Sequence, residues 1–161
     1  LVEGGSSKEF INSRKFLWKD YNNTKKIFRI LNKAIIHFLE IQIKAGADAI
    51  MLFDSWAGSM PARFRNEFIY KPTKEITDYI REKYPDIPII CLPKSIGEGI
   101  IEFVDIVQPN CIAVDHLTNI EFVTQNIPKE IVIQGNIDPV CLIAGGDVLK
   151  RMMKGHQVSI Y

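Results

Sequence analysis

The chain has 161 residues, 47% of them hydrophobic and 24% charged, with a formal net charge of +1. These values are typical of one globular domain and give no reason to expect nucleic acid or a membrane as partner. No apolar run approaches the ~20 residues of a membrane span, and the first residues lack the pattern of a signal peptide.

The cysteine pattern indicates a reducing compartment. Cys91, Cys111 and Cys141 are widely spaced among apolar neighbours. An odd number of such thiols suits the cytosol, so we expect a cytoplasmic protein. Neither a Cys-x-x-Cys pair nor a Cys/His pair at ligand spacing occurs, so zinc is not expected.

A long amphipathic helix is predicted for residues 24–45. Polar side chains such as Arg29 and His37 recur at steps of three and four, and an apolar set including Ile27 follows the same spacing on the opposite side. Gly46 stands where a helix commonly ends. His37 belongs to the polar stripe and is expected to be solvated.

Beyond residue 46 the pattern changes to short apolar runs that alternate with helical stretches. The runs predict strands buried on both faces: AIMLFDS, IPIICLPK, CIAVDH and EIVIQGN. The stretches between and after them predict helices: PTKEITDYIREKY, GEGIIEFVDIV, NIEFVTQNI and DPVCLIAGGDVLKRMMKG. Four such alternations are typical of consecutive βα units around a parallel sheet.

Each predicted strand ends in polar residues, which indicates a ligand site at one edge of the sheet. These residues are Asp54, Ser55, Lys94, Asp115, His116, Gln134, Asn136 and Asp138. A (β/α)₈ barrel builds its active site from strand ends on this face, and an open doubly wound sheet also binds ligands there. The segments GGSSKEF and IGEGI match neither the dinucleotide fingerprint nor the P-loop. A single aspartate such as Asp115 or Asp138 can equally cap the following helix.

Three tracts carry a resemblance to a known family: LVEGGSS, AGADAIMLFDSWAG and IVIQGNIDP, in this order and spacing. Together they resemble the uroporphyrinogen decarboxylase family, over roughly residues 1–156 and over only the C-terminal half of the family's domain. The resemblance implies an α/β fold, an incomplete (β/α)₈ TIM barrel consisting of the C-terminal half with about four parallel strands and outer helices. Residues 1–161 would form one partial domain.

The resemblance also implies an activity. Members of the family are homodimeric carboxy-lyases of haem biosynthesis that remove carbon dioxide from the four acetate side chains of uroporphyrinogen, giving coproporphyrinogen. They need no metal or organic cofactor, because a protonated pyrrole ring takes up the electrons that decarboxylation releases. Such a protein must bind a polyanion, stabilise a cationic ring and deliver protons.

Two residues carry over from the family as substrate-binding residues. Ser55 matches a serine that contacts substrate carboxylates, and Phe53 matches an aromatic of the cleft wall. Trp56 and Gly58 belong to the same motif without an assigned chemistry. The tract with Gln134, Asn136 and Asp138 is interpreted as structural.

The family's catalytic aspartate, arginine loop and tyrosine lie outside this chain, so no catalytic residue is assigned within it. His156 is not taken as the family's substrate-contacting histidine. We therefore expect no activity from this chain alone and two exposed sheet edges, the FDSWAG strand and the IVIQG strand, unless QVSIY covers the latter. Met51 and Ile90 are expected on the inner face of the open barrel.

Two alternatives of other kinds stay open at this point. One is a corrinoid-type methyltransferase of the same superfamily, although the chain lacks the His-x-Cys pair typical of its zinc site. The other is a non-catalytic remnant that pairs with a separately encoded N-terminal half.

Overall fold

A computed structural model describes residues 2–155 and shows a four-stranded sheet flanked by helices. The strands are β1 (Ile50–Asp54), β2 (Ile89–Pro93), β3 (Cys111–Ala113) and β4 (Val132–Gln134). The helices are α1 (Ile11–Lys19), α2 (Tyr21–Lys44), α3 (Ala62–Arg65), α4 (Lys71–Lys83), α5 (Gly99–Val107), α6 (Ile120–Asn126), α7 (Pro139–Ala144) and α8 (Gly146–Gly155). A 3₁₀ turn spans Ala57–Ser59 and a π-helical turn spans Asn66–Tyr70.

The sheet is entirely parallel, with strand order β1-β2-β3-β4. Each strand therefore pairs with the next along the chain, as in consecutive units of a (β/α)₈ barrel. This confirms the α/β fold and the predicted partial barrel. It also confirms β1 and β4 as the edge strands; QVSIY and His156 lie outside the described residues.

One face of the sheet packs against the helices and forms the core. Ile50, Ile89, Cys91 and Ile112 point to this side and are almost fully buried. The helical residues that meet them are chiefly aliphatic: Leu39, Ile76, Ile80, Ile100, Val104, Val107 and Val123, with the aromatic Phe103. Burial of this apolar surface is the main source of stability for such a layer.

The opposite face of the sheet is mainly apolar and is uncovered at the two edge strands, β1 and β4. Because side chains alternate along a strand, Met51 and Ile90 face away from the core, and they are direct partners in the β1–β2 register. Both are only partly buried, while Phe53 is 65% exposed and Val132 is 52% exposed. Met51 and Ile90 thus lie on the face predicted for them. The prediction that every strand is buried on both faces is wrong for β1 and β4.

The N-terminal helices differ from the prediction in the start of α2 and in the presence of α1. The helix expected over residues 24–45 begins at Tyr21, because the Asp20 carboxylate accepts a hydrogen bond from the Asn23 N–H and caps it. The shorter helix α1, which ends at Lys19, was not predicted. Its only buried residue is Leu17, so its apolar pattern is weak.

The helix predicted from Pro72 onward starts ten residues earlier, because α3, the π-helical turn and α4 are continuous from Ala62 to Lys83. Within the π-helical turn the Lys71 N–H donates to the Asn66 carbonyl. Proline clashes with the carbonyl four residues before it and offers no N–H, and a widened turn relieves both problems. Pro72 is thus accommodated inside a longer helix instead of starting one.

The helix predicted for the DPVCLIAGGDVLKRMMKG stretch is in fact two helices. Gly145, with φ of 62° and ψ of −154°, ends α7, and α8 begins at the next residue. An L side chain rarely adopts this conformation, so glycine permits the break. None of the helices within residues 2–155 combines the length and hydrophobicity needed to cross a bilayer.

Candidate active site

The polar residues that follow the strands gather at one edge of the sheet. Because all four strands are parallel, their carboxyl ends share this edge. The predicted residues lie there: Asp54, Ser55, Lys94, Asp115, His116, Gln134, Asn136 and Asp138. Lys94, His116 and Ser55 are exposed, whereas Asp54 and Asp115 are partly buried. The structure therefore brings the predicted set into one region of the molecule.

Phe53 and Ser55 are both accessible. Phe53, next to the last residue of β1, presents its ring on the uncovered face of the sheet. Ser55 follows two residues later in the turn that leaves the strand, and its hydroxyl has no hydrogen-bond partner within residues 2–155. An exposed apolar ring and an exposed hydroxyl at the end of one strand can contact a ligand that has both apolar and polar parts.

Asp54 shapes the turn. Its carboxylate accepts a hydrogen bond from the Trp56 N–H over 3.2 Å, and its carbonyl accepts one from the Lys94 N–H over 3.0 Å. Burial raises the pKa of this carboxyl, although hydrogen bonds from the backbone of Trp56 and Ala57 oppose the change. Asp54 thus orients the loop that carries Ser55.

Trp56 joins the N-terminal segment to this loop. Its ring meets Phe10 edge-on, with centroids 4.7 Å apart. Around this pair lies an apolar cavity of about 200 Å³, lined also by Val2, Leu17 and Phe28. The sequence assigned Trp56 no chemistry, and its observed contact is one of packing.

The loop after β1 (residues 55–61) lies directly on the loop after β2 (residues 94–98). The Gly58 N–H donates to the Lys94 carbonyl over 3.0 Å. A Cβ added to Gly58 would lie 2.3 Å from the Ser95 carbonyl oxygen, so only glycine fits this contact.

Arg65 joins the same two loops through hydrogen bonds to their backbone carbonyls. Its Nε donates to the Met60 carbonyl over 3.3 Å and its Nη1 donates to the Ile96 carbonyl over 3.0 Å. The sequence did not identify Arg65, because it belongs to the unpredicted helix α3 and its partners are carbonyls that no side-chain pattern reveals.

The tract after β4 makes contacts of a supporting kind. The Asp138 carboxylate caps α7 by accepting from the Val140 N–H over 2.9 Å. Asn136 Nδ2 donates to the Thr118 carbonyl over 2.8 Å, which joins this tract to the loop after β3. The helix-cap interpretation therefore holds for Asp138. The part of the chain that the structure describes contains no group of three His, Cys, Asp or Glu side chains placed to hold a metal ion.

Comparison with known proteins agrees with this geometry. The family model described as "Uroporphyrinogen decarboxylase (URO-D)" matches residues 1–157. Among curated relatives named uroporphyrinogen decarboxylase, that of Rickettsia bellii is 35% identical over 151 residues, which is 94% of this chain and 44% of the relative. The Campylobacter lari protein is 36% identical over 141 residues, which is 86% of this chain and 40% of the relative.

A third relative shows the same proportions. The Cereibacter sphaeroides protein, also named uroporphyrinogen decarboxylase, is 32% identical over 155 residues, covering 96% of this chain and 45% of the relative. The chain thus spans less than half the length of the relatives that it matches. With a family model that covers almost every residue, the chain belongs to the uroporphyrinogen decarboxylase family.

Proposed function

We propose that this chain, joined to the length of its relatives that it does not span, forms a uroporphyrinogen decarboxylase. The enzyme would remove carbon dioxide from the acetate side chains of uroporphyrinogen and give coproporphyrinogen. The observation that carries the proposal is the position of Phe53 and Ser55: both are exposed, two residues apart in the sequence, where β1 ends at the carboxyl edge of the sheet.

These two side chains suit different parts of the substrate. The Phe53 ring, on the uncovered apolar face, supports contact with the macrocycle. The Ser55 hydroxyl can donate a hydrogen bond to a carboxylate side chain, a charge-assisted bond worth roughly 1.5–3 kcal/mol. The resemblance places the proton-delivering and cation-stabilising residues outside this chain, so the chain's own contribution is substrate binding.

Substitution of Ser55 tests this role in the complete enzyme. Ser55→Ala is expected to raise KM for uroporphyrinogen by roughly 10- to 100-fold, the equivalent of one hydrogen bond to a charged group. Ser59→Ala is the matched control, because Ser59 is an exposed serine of the same loop; its KM should stay within about twofold. An unchanged KM for Ser55→Ala would leave Ser55 as a turn residue only.

Three uncovered surfaces support the completion of a barrel by further βα units. The outer edge of β1 has no strand partner within residues 2–155. The face of the sheet opposite the helices carries the exposed apolar side chains of Phe53 and Val132. A flank of α2 is also bare: Ile30, Ala34, Phe38 and Ile41 are all exposed, with Phe38 at 62%.

The bare flank of α2 is distinct from the flank that is already covered. On the covered side Asn32 Nδ2 donates to the Pro72 carbonyl, and the Glu40 carboxylate accepts from Tyr79 and Tyr84. Residues at steps of four and three, such as Ile30, Phe38 and Ile41, share one side of a helix. A second helix could pack there as α4 packs on the covered side, and a strand could extend the sheet beyond β1.

We therefore infer that the part of the relatives that this chain does not match covers these surfaces, either in the same polypeptide or as a complementing N-terminal fragment. We also infer that the complete enzyme is a homodimer, as in the family. Co-expression of the 161-residue polypeptide with the remainder of the Rickettsia bellii relative should give a stable complex in sedimentation. A monodisperse, cooperatively melting monomer of the 161-residue polypeptide alone would contradict this inference.

A cytoplasmic location is proposed on the cysteines. All three are free thiols, and two of them, Cys91 and Cys111, are buried. Such thiols persist in a reducing compartment. Cell fractionation of the native host, with the protein recovered in the cytosol, would support this location, and recovery outside the cytosol would refute it.

A further inference from the structure

The carboxylate of Asp115 bridges two loops at the candidate site. One oxygen, Oδ2, accepts from the Ser95 N–H over 2.6 Å and from the Ser95 hydroxyl over 3.1 Å. The other, Oδ1, accepts from the Leu117 N–H over 3.0 Å and from the Thr118 hydroxyl over 3.1 Å. Half of its contacts therefore organise its own loop, and half reach the loop after β2.

Ser95 needs such support. Its φ is 59°, in the left-handed region that a residue with a side chain seldom adopts. Both donors of Ser95 that face Asp115 bind the same carboxylate oxygen, so the bridge holds the backbone as well as the side chain in this conformation.

Ser95 in turn supports the loop that carries Ser55. Its carbonyl oxygen lies so close to Gly58 that no Cβ fits between them, and the adjoining Lys94 carbonyl accepts the Gly58 N–H. A change in the backbone at Ser95 would remove the surface against which this loop rests. Close-packed contacts of this kind transmit displacements because no free space between the atoms can absorb them.

We propose that Asp115 is a positioning residue that holds Ser55 in place for substrate binding, acting through Ser95 and Gly58. The proposal rests on the proposed function, in which Ser55 binds a substrate carboxylate. Both carboxylate oxygens of Asp115 are occupied by these four hydrogen bonds. Asp115 therefore affects substrate binding indirectly, through the positions of the loops after β2 and β1.

A purely local role for Asp115 is the competing explanation, since its bonds to Leu117 and Thr118 also form a turn. Asn119 provides the matched control for that role. It lies in the same loop, and its side chain caps α6 by accepting from the Phe122 N–H, a bond confined to its own helix. Loss of this local bond leaves the bridge to Ser95 intact.

The test is a double-mutant cycle on the complete enzyme with uroporphyrinogen as substrate. Asp115→Ala should raise KM by about tenfold, and by no more than Ser55→Ala does, with kcat altered by less than about threefold. Asp115→Asn keeps one acceptor oxygen and should show a smaller rise. Asn119→Ala should leave KM within about twofold.

The decisive comparison is the double variant Ser55→Ala/Asp115→Ala. Its KM should match that of Ser55→Ala within about twofold, because positioning has no effect once the hydroxyl is gone. Additive effects, or an unchanged KM in both Asp115 variants, would overturn the positioning role while Ser55→Ala still confirms the proposed function. An unchanged KM for Ser55→Ala would instead overturn the proposed function and the positioning role with it. If Asp115→Ala does not fold, Asp115→Asn takes its place in the cycle with the same criteria.

Discussion

Gly58→Ala tests the closest contact between the two loops at the candidate site. The new Cβ would lie 2.3 Å from the carbonyl oxygen of Ser95 and 2.8 Å from its carbonyl carbon, where ordinary contacts begin at 3.4 Å. The loops must therefore separate by about 1 Å, which is enough to break the bond from the Gly58 N–H to the Lys94 carbonyl.

The magnitude follows from these two effects. Inserting a methyl group into a packed contact costs about 1–3 kcal/mol, and losing a backbone hydrogen bond costs about 0.5–1.5 kcal/mol. We expect Gly58→Ala to lower the free energy of unfolding of the complete enzyme by about 1.5–4.5 kcal/mol in urea titrations.

Gly5→Ala is the control, because a Cβ at Gly5 would meet nothing within 4 Å and its φ is outside the left-handed region. It should change the free energy of unfolding by less than about 0.5 kcal/mol. If Gly58→Ala were as stable as Gly5→Ala, the contact between the two loops would be looser than the structure shows.

Four further predictions follow from single features. Burial raises the pKa of Cys91 to about 12, so iodoacetamide at pH 8 should modify the less buried Cys141 well before Cys91; equal rates in the native protein would contradict this. Burial alone would raise the pKa of Asp115, but its hydrogen bonds outweigh burial and lower it. The stability that the Asp115 carboxylate contributes is thus present above the unfolded pKa of about 3.9 and is lost as pH falls through the lower folded pKa. The difference in free energy of unfolding between wild type and Asp115→Asn should therefore shrink below pH ~4. A difference that stays constant with pH would refute this. Asn32→Ala should lower the free energy of unfolding by about 1–3 kcal/mol, because Asn32 is 3% exposed and its amide donates to Glu75 over 2.8 Å; an unchanged urea midpoint would count against that role. The 161-residue polypeptide alone should give no coproporphyrinogen, since the resemblance places the family's catalytic residues outside it, and turnover above background would disprove this.

The parallel sheet was predictable because each strand is signalled locally. The runs around Ile50, Ile89, Ile112 and Ile133 are short, apolar and followed by amphipathic stretches, and this alternation dictates parallel pairing. The polar residues at the candidate site were predictable for the same reason, since they directly follow the runs.

The contacts that organise the site were not predictable, because they join residues far apart in the chain. Asp115 and Ser95 are separated by 20 positions, and Arg65 and Ile96 by 31. The acceptor for Arg65 is a backbone carbonyl, which every residue has, so no residue type marks it. The break at Gly145 was not predicted either, because the residues before it and after it both have a helical pattern.

Turnover of uroporphyrinogen by the complete enzyme is the most direct test of the central claim. Carbon dioxide release and the formation of coproporphyrinogen would be followed with purified protein to which no metal or cofactor has been added. We predict stepwise loss of the four acetate carboxyl groups. A correctly folded complete protein that leaves uroporphyrinogen unchanged would contradict the proposed function.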